Sequence, residues 1–283
     1  MKLIKTLFIS FFLILVSCSR VSFQKNINDP LKDSLRKESL NRQSKKRLLP
    51  FITNNSPKKN ISQCHLNLFE QGMQGLRKDF DIRKEGPELW NELGLCFFLK
   101  GEYSKAYYYF NISLEKITTN KKFKSRPYNN LGLVFIEWSN YPKAIEFFKK
   151  ALKVHPEARV PRYNLAQVFL KLGDPLKAKF YLNNISGVLE DDDFFISRGF
   201  AELLNKQYEN ALEKFQQVSI PKNKRHDIAL YRSYSFLKMG KLKMAKTSLL
   251  KKNKSNNKVL LLFEKKLQKE ILYLDKEDKN ESK

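Results

Sequence analysis

The sequence predicts an all-α chain of stacked helical hairpins, and three observations predict it. A pair of small residues twelve positions apart recurs five times, as Gly94/Ala106, Gly132/Ala144, Ala166/Ala178, Gly199/Ala211 and Ser233/Ala245, in copies that begin 38, 34, 33 and 34 residues apart. Around each pair, apolar residues return at three and four positions, which sets them on one face of a helix. Gly101, Gly173 and Gly240 stand where one helix must turn into the next, and Pro156 stands where a second helix must stop. A single hairpin cannot bury its own apolar face, so neighbouring copies must stack to make a core.

The chain begins with Lys2 and Lys5, then an apolar run of ten from Leu7 to Val16, closed by Ser17 and Cys18. That is the layout of a secretory signal, with a run too short to span a bilayer. Leu15-Val16-Ser17-Cys18 also resembles the bacterial lipobox, which implies removal of residues 1–17 and a mature chain starting at an acylated Cys18 held in the lipid bilayer. The alternative is ordinary secretory cleavage beside an incidental cysteine, or an uncleaved anchor. Ser19 is not the aspartate that retains lipoproteins in the inner membrane of enteric bacteria. The resemblance therefore implies the bacterial envelope, with the outer membrane facing the periplasm if the source is Gram-negative.

Export changes the reading of the charge. The formal net charge is +25, from 54 Lys plus Arg against 29 Asp plus Glu. In a cytosolic chain that would suggest nucleic acid, whereas outside the cytoplasm it faces anionic headgroups and cell-wall polymers. A solvated surface rich in Lys and Asn is the plainer account. Residues 18–62 hold 11 Lys or Arg against 3 Asp or Glu with no apolar period, and read as a basic flexible tether. Each basic residue near an anionic surface is worth roughly 1 kcal/mol.

Residues 63–258 carry the repeats. Leu66 to Arg77 reads as a helical half-repeat ahead of them, and full copies follow near 87–120, 125–158, 159–191, 192–225 and 226–258. The long first interval predicts a loop over Thr118 to Ser125. Residues 259–274 put Leu260, Phe263, Leu267, Ile271 and Leu274 on one face, with Glu264, Lys265, Lys269 and Glu270 away from it, as in a capping helix. Residues 275–283 read as a polar tail.

Copy one has Trp90-x2-Leu93-Gly94-x2-Phe97, then Gly101, Tyr103, Ala106 and Phe110. Copy two has Tyr128-x2-Leu131-Gly132-x2-Phe135, then Tyr141, Ala144, Phe148 and Pro156. This pattern resembles the tetratricopeptide repeat, over about Pro87 to Lys258. Copies four and five depart from it at Arg198, Arg232 and Glu202. The resemblance implies a superhelix of about five hairpins that binds a protein or peptide along a groove lined by first helices. Position by position, the implied groove residues are Asn91, Leu95 and Phe98; Asn129, Leu133 and Ile136; Tyr163, Gln167 and Leu170; Ile196, Phe200 and Leu203; and Leu230, Tyr234 and Leu237. Their mixture of amides, aromatics and aliphatics suits a segment of another protein. Val160 and Asn164 stand where a chaperone-type carboxylate clamp carries basic residues.

Other chemistry is thin. Cys64 and Cys96 could pair in an oxidising compartment, although Cys96 sits where a small buried thiol is expected. Cys64-His65 has no second pair to complete a metal site, and His155 and His226 lie far in sequence from any cysteine or carboxylate cluster. The run Glu190-Asp191-Asp192-Asp193 lacks the alternating spacing of calcium loops and favours a helix N-terminus. No phosphate loop, nucleophile elbow or His-Glu metal motif is present, so the expectation is a scaffold and not an enzyme, with no cofactor, small-molecule substrate or nucleic acid. Envelope-machine assembly is the expected role, loosely similar to that of pilotins in type IV pilus and secretin biogenesis. An adaptor for cell-wall hydrolases or proteases is the alternative.

Overall fold

The computed structural model describes Cys64 and residues 69–83, 86–185, 192–218, 226–250 and 257–281; the signal segment, Cys18, the tether and the Glu190-Asp191 pair lie outside the described residues. Twelve α-helices are described: α1 Phe69–Arg83, α2 Pro87–Lys100, α3 Tyr103–Lys116, α4 Ser125–Glu137, α5 Tyr141–Val154, α6 Arg159–Leu172, α7 Pro175–Asn183, α8 Asp192–Leu204, α9 Tyr208–Gln216, α10 His226–Lys238, α11 Leu242–Leu250 and α12 Lys258–Glu281. No strand occurs among the described residues. The pairs α2/α3, α4/α5, α6/α7, α8/α9 and α10/α11 are the five copies, and each packs mainly on its sequence neighbours.

The hairpins close the same way. In each, two backbone bonds finish the first helix, such as Glu102 N–H to Phe97 O at 2.9 Å and Gly101 N–H to Phe98 O at 3.0 Å. This requires a left-handed residue, which glycine supplies at Gly101, Gly173 and Gly240. Copies two and four keep the turn without glycine, at Ser139 (φ 57°) and Lys206 (φ 62°).

Why the first small residue is small is now visible. A Cβ on Gly94, Gly132 or Gly199 would come within 2.5–2.6 Å of the ring of Phe110, Phe148 or Phe215, respectively, sixteen residues on. Copies three and five have Leu182 and Leu249 at that ring position, and there Ala166 and Ser233 replace glycine. The two positions trade volume, as close packing demands.

The ends differ in part from expectation. The first helix runs from Phe69 to Arg83, beyond the expected Arg77. Cys64 and Cys96 form a disulfide with a Cα–Cα distance of 5.3 Å, so Cys96 is a bridge and not an inert thiol. The expected loop after α3 holds a 3₁₀ turn, Lys121–Lys124, in which Lys122 N–H donates to Asn120 Oδ1. At the C-terminus the helix does not stop at Leu274 but continues to Glu281, with Lys246 paired to Asp275. Glu264, expected on the outer face, is buried with its Oε2 2.9 Å from His226 Nε2.

Candidate functional site

The first helices are tied to one another by amides. Asn164 Nδ2 donates to Asn129 Oδ1 at 2.9 Å, Asn129 Nδ2 to Asn130 Oδ1 at 3.1 Å, and Asn130 Nδ2 to Asn91 Oδ1 at 3.0 Å. All four are buried, and every donor points the same way along the stack. The ladder joins copies one, two and three. On its other side Gln167 Nε2 donates to Ser197 Oγ at 2.8 Å, and Ser197 Oγ donates to Asp193 O at 2.6 Å, which carries the polar seam into copy four.

Beyond Ser197 the seam turns aromatic. The Phe200 and Tyr231 rings are 5.1 Å apart, and Tyr234 lies 6.1 Å from Phe263 of the capping helix α12.

Thirteen of the fifteen residues assigned to a groove are buried in these seams: Asn91, Leu95, Asn129, Leu133, Tyr163, Gln167, Leu170, Ile196, Phe200, Leu203, Leu230, Tyr234 and Leu237. Phe98 and Ile136 are half-buried against the core. All fifteen lie on the first helices of the five copies, thirteen of them buried and two half-buried. The aliphatic and aromatic members pack into the hydrophobic core, and Asn91, Asn129 and Gln167 are buried with hydrogen-bond partners on neighbouring residues.

Open space is found instead at the edge between copies one and two. A shallow cleft, open to solvent, is lined by Pro87, Glu88 and Asn91 of α2, Ser113 and Ile117 at the end of α3, Phe123 of the 3₁₀ turn, and Arg126 and Pro127 of α4. Ser113 Oγ donates to Pro87 O at 2.8 Å and fixes one wall. The Arg126 guanidinium lies over the Phe123 ring, 5.2 Å from its centroid. Burial pulls Arg126 below its usual range, opposed by the charges of Glu88 and Glu92. The asparagine ladder ends here, because Asn91 Nδ2 is buried with no hydrogen-bond partner.

Lys121 and Lys122 are exposed beside the cleft on the 3₁₀ turn. Nearby His155, at the end of α5, is pushed down by its burial and then by Lys122, with Arg126 adding to this and Glu157 opposing it. Sequence reasoning missed Arg126, Phe123 and Ser113. Their signal was the four-residue excess of the first interval, which supplies Phe123 and the lysines.

Residues 87–157 match the family model for the tetratricopeptide repeat. Among solved structures, pilF of Pseudomonas aeruginosa aligns with a TM-score of 0.55 at 16% identity, over 77% of this chain and 90% of that one. The chain has the fold of a tetratricopeptide-repeat solenoid. YrrB, described as a tetratricopeptide protein with an unusual peptide-binding site, aligns with a TM-score of 0.54 at 19% identity, over 71% of this chain and 97% of that one. In sequence, BBSome complex member BBS4 of Xenopus tropicalis is 29% identical over 137 residues, 47% of this chain but a quarter (25%) of that protein. Tetratricopeptide solenoids are in general non-enzymatic scaffolds, and the fold supports binding of a protein or peptide.

Proposed function

We propose that this solenoid is a lipid-anchored scaffold of the bacterial envelope, acylated at Cys18, which holds a partner during assembly of a larger machine, with type IV pilus or secretin biogenesis as the specific role. The observation that carries the reading is the disulfide between Cys64 and Cys96, because such bridges persist in oxidising compartments outside the cytoplasm. It agrees with the export signal read from residues 1–18, and it ties Cys64 to the first helix of copy one. Likeness in fold to pilF over most of both chains supports the pilus assignment.

Two experiments test the reading. Cys18→Ala is expected to convert a membrane-retained, processed protein into a soluble or unprocessed one; a variant still recovered as a mature, detergent-requiring species refutes the anchor. In-cell cross-linking of the tagged chain with mass spectrometry is expected to capture secretin or pilus subunits. Capture of wall hydrolases or proteases in their place makes the protein an adaptor for those enzymes.

A further inference from the structure

We propose that the outer face of the capping helix α12 lies on an anionic bilayer, a membrane contact separate from the acyl group read at Cys18. The inference does not depend on acylation or on which partner the scaffold holds.

A terminal helix needs one apolar face only. α12 buries Leu260, Phe263, Leu267 and Ile271 in the core, and a cap is soluble when the face turned away is polar. Here that face carries Leu261 (37% exposed), Leu262 (49%), Leu272 (59%) and Tyr273 (59%). Four of the eleven large apolar side chains exposed among the described residues therefore stand on this one helix, where closing the core accounts for none of them.

At about 100° per residue, these four fall with Lys265, Lys269 and Lys276 in an arc of about 120°. Leu261 and Leu272 mark one edge, Leu262 and Tyr273 the other, and the lysines fill the strip between. None of the three lysines has an ion-pair partner among the described residues. Carboxylates stand outside the arc. Glu264 is buried against His226, Asp275 pairs with Lys246, and Glu270 and Glu277 lie beyond the Tyr273 edge, where Glu277 accepts from the Tyr273 hydroxyl.

This arrangement selects the occupant. A second copy would bring lysine against lysine, which like charge opposes. A groove takes a helix by a single stripe of anchors at i and i+4, whereas here two apolar edges flank a convex cationic ridge. A plane that side chains can sink into reaches both edges at once. At a bilayer surface the leucines and the Tyr273 ring enter the acyl boundary, the lysine stems lie along it, and their ammonium groups meet lipid phosphates. No described helix is long and apolar enough to cross a membrane, so α12 rests in the surface and does not span it. Attraction to anionic lipid grows with each lysine and is screened by salt.

The test reconstitutes the full chain carrying Tyr273→Trp in vesicles of phosphatidylcholine and phosphatidylglycerol with brominated acyl chains. Comparison with the unsubstituted chain subtracts the emission of Trp90 and Trp138. The added tryptophan is expected to be quenched in the mixed vesicles, and far less in phosphatidylcholine alone or in high salt. Lys265→Glu with Lys269→Glu and Lys276→Glu is expected to cut the quenching roughly tenfold, and Leu262→Ser with Leu272→Ser to reduce it as well. All five positions are exposed, so an unchanged unfolding midpoint is expected and shows that each variant folds. The proposal is overturned if the tryptophan is not quenched, if neutral vesicles quench it equally, or if the lysine variant is quenched like its parent. Absent quenching together with self-association that Leu272→Asp abolishes gives the face to a second copy, and absent quenching with in-cell cross-links from it to an acidic protein gives it to that protein. A chain that floats with the vesicles while position 273 stays unquenched keeps the Cys18 anchor and loses this contact; quenching that persists in Cys18→Ala keeps the contact without the anchor.

Discussion

Copies one to three and copies four and five share a hairpin but are held together differently. In the first three, a ring on the first helix stacks on one from the second: Phe97 on Tyr109, Phe135 on Phe147 and Phe169 on Tyr181, with centroids 5.1–5.5 Å apart. A lysine covers each pair, Lys105, Lys143 and Lys177, at 5.2–5.4 Å from the first ring. In copy four Glu202 stands in the ring's place and pairs with Lys179 of the preceding copy at 2.9 Å. The seams differ too, with carboxamides joining copies one to three and aromatic rings joining copies four, five and the cap. The difference teaches that the repeat specifies how two helices meet, while each junction chooses its own chemistry. It also assigns part of the basic excess a structural role, since lysine stems and charges cover ring faces.

That comparison can be broken at several points. The largest effect is expected at the N-terminal end, where the disulfide closes a separation of 32 residues: Cys64→Ser with Cys96→Ser, or reductant, lowers stability by about 3–4 kcal/mol. Hydrogen exchange resolved by copy checks that the loss falls on α1 and copy one and leaves copies four and five protected.

Next, Gly132→Ala forces a Cβ against the Phe148 ring and is expected to cost about 2–3 kcal/mol in chemical unfolding. Adding Phe148→Leu turns the pair into the Ala/Leu combination of copy three and restores much of the loss. A double variant no better than the single one removes the volume-trade account. Asn129→Ala leaves Asn164 without its acceptor and Asn130 without its donor; about 2 kcal/mol is expected, and an unchanged midpoint sinks the ladder's structural role.

Smaller effects sharpen the contrast. Lys179→Met strands the mostly buried Glu202 and is expected to cost about 1 kcal/mol, whereas Lys105→Met over the rings of copy one costs less. The smallest change runs the other way: Lys206→Gly relieves a left-handed residue and raises stability by up to about 1 kcal/mol, seen as a higher unfolding midpoint.

Much of the fold was legible because it is local. Helix faces, the turns and the twelve-residue spacing are set by residues within one hairpin, so the five hairpins follow the pattern, while the last helix runs past the expected Leu274 to Glu281. The long first interval likewise announced extra structure before Ser125. The candidate site was less legible. The pattern brought Asn91, Asn129, Tyr163 and Gln167 onto one side of the stack, yet their burial depends on how closely successive first helices approach. That distance is fixed by partners 30 to 39 residues away, such as Asn130 for Asn91 and Ser197 for Gln167.

What the sequence determined by itself was the hairpin: its period, its turns and the small residue at each crossing, because sterics within a repeat leave few choices. Only the tertiary structure decided which polar groups are used up inside and which reach an edge. It paired His226 with Glu264, Cys64 with Cys96, and the four ladder carboxamides with one another, with the Asn91 Nδ2 end of the ladder beside the cleft that Arg126 lines. Hydrogen bonds and charges are short-ranged and directional, so their partners are set by the stacking of distant segments and not by spacing along the chain.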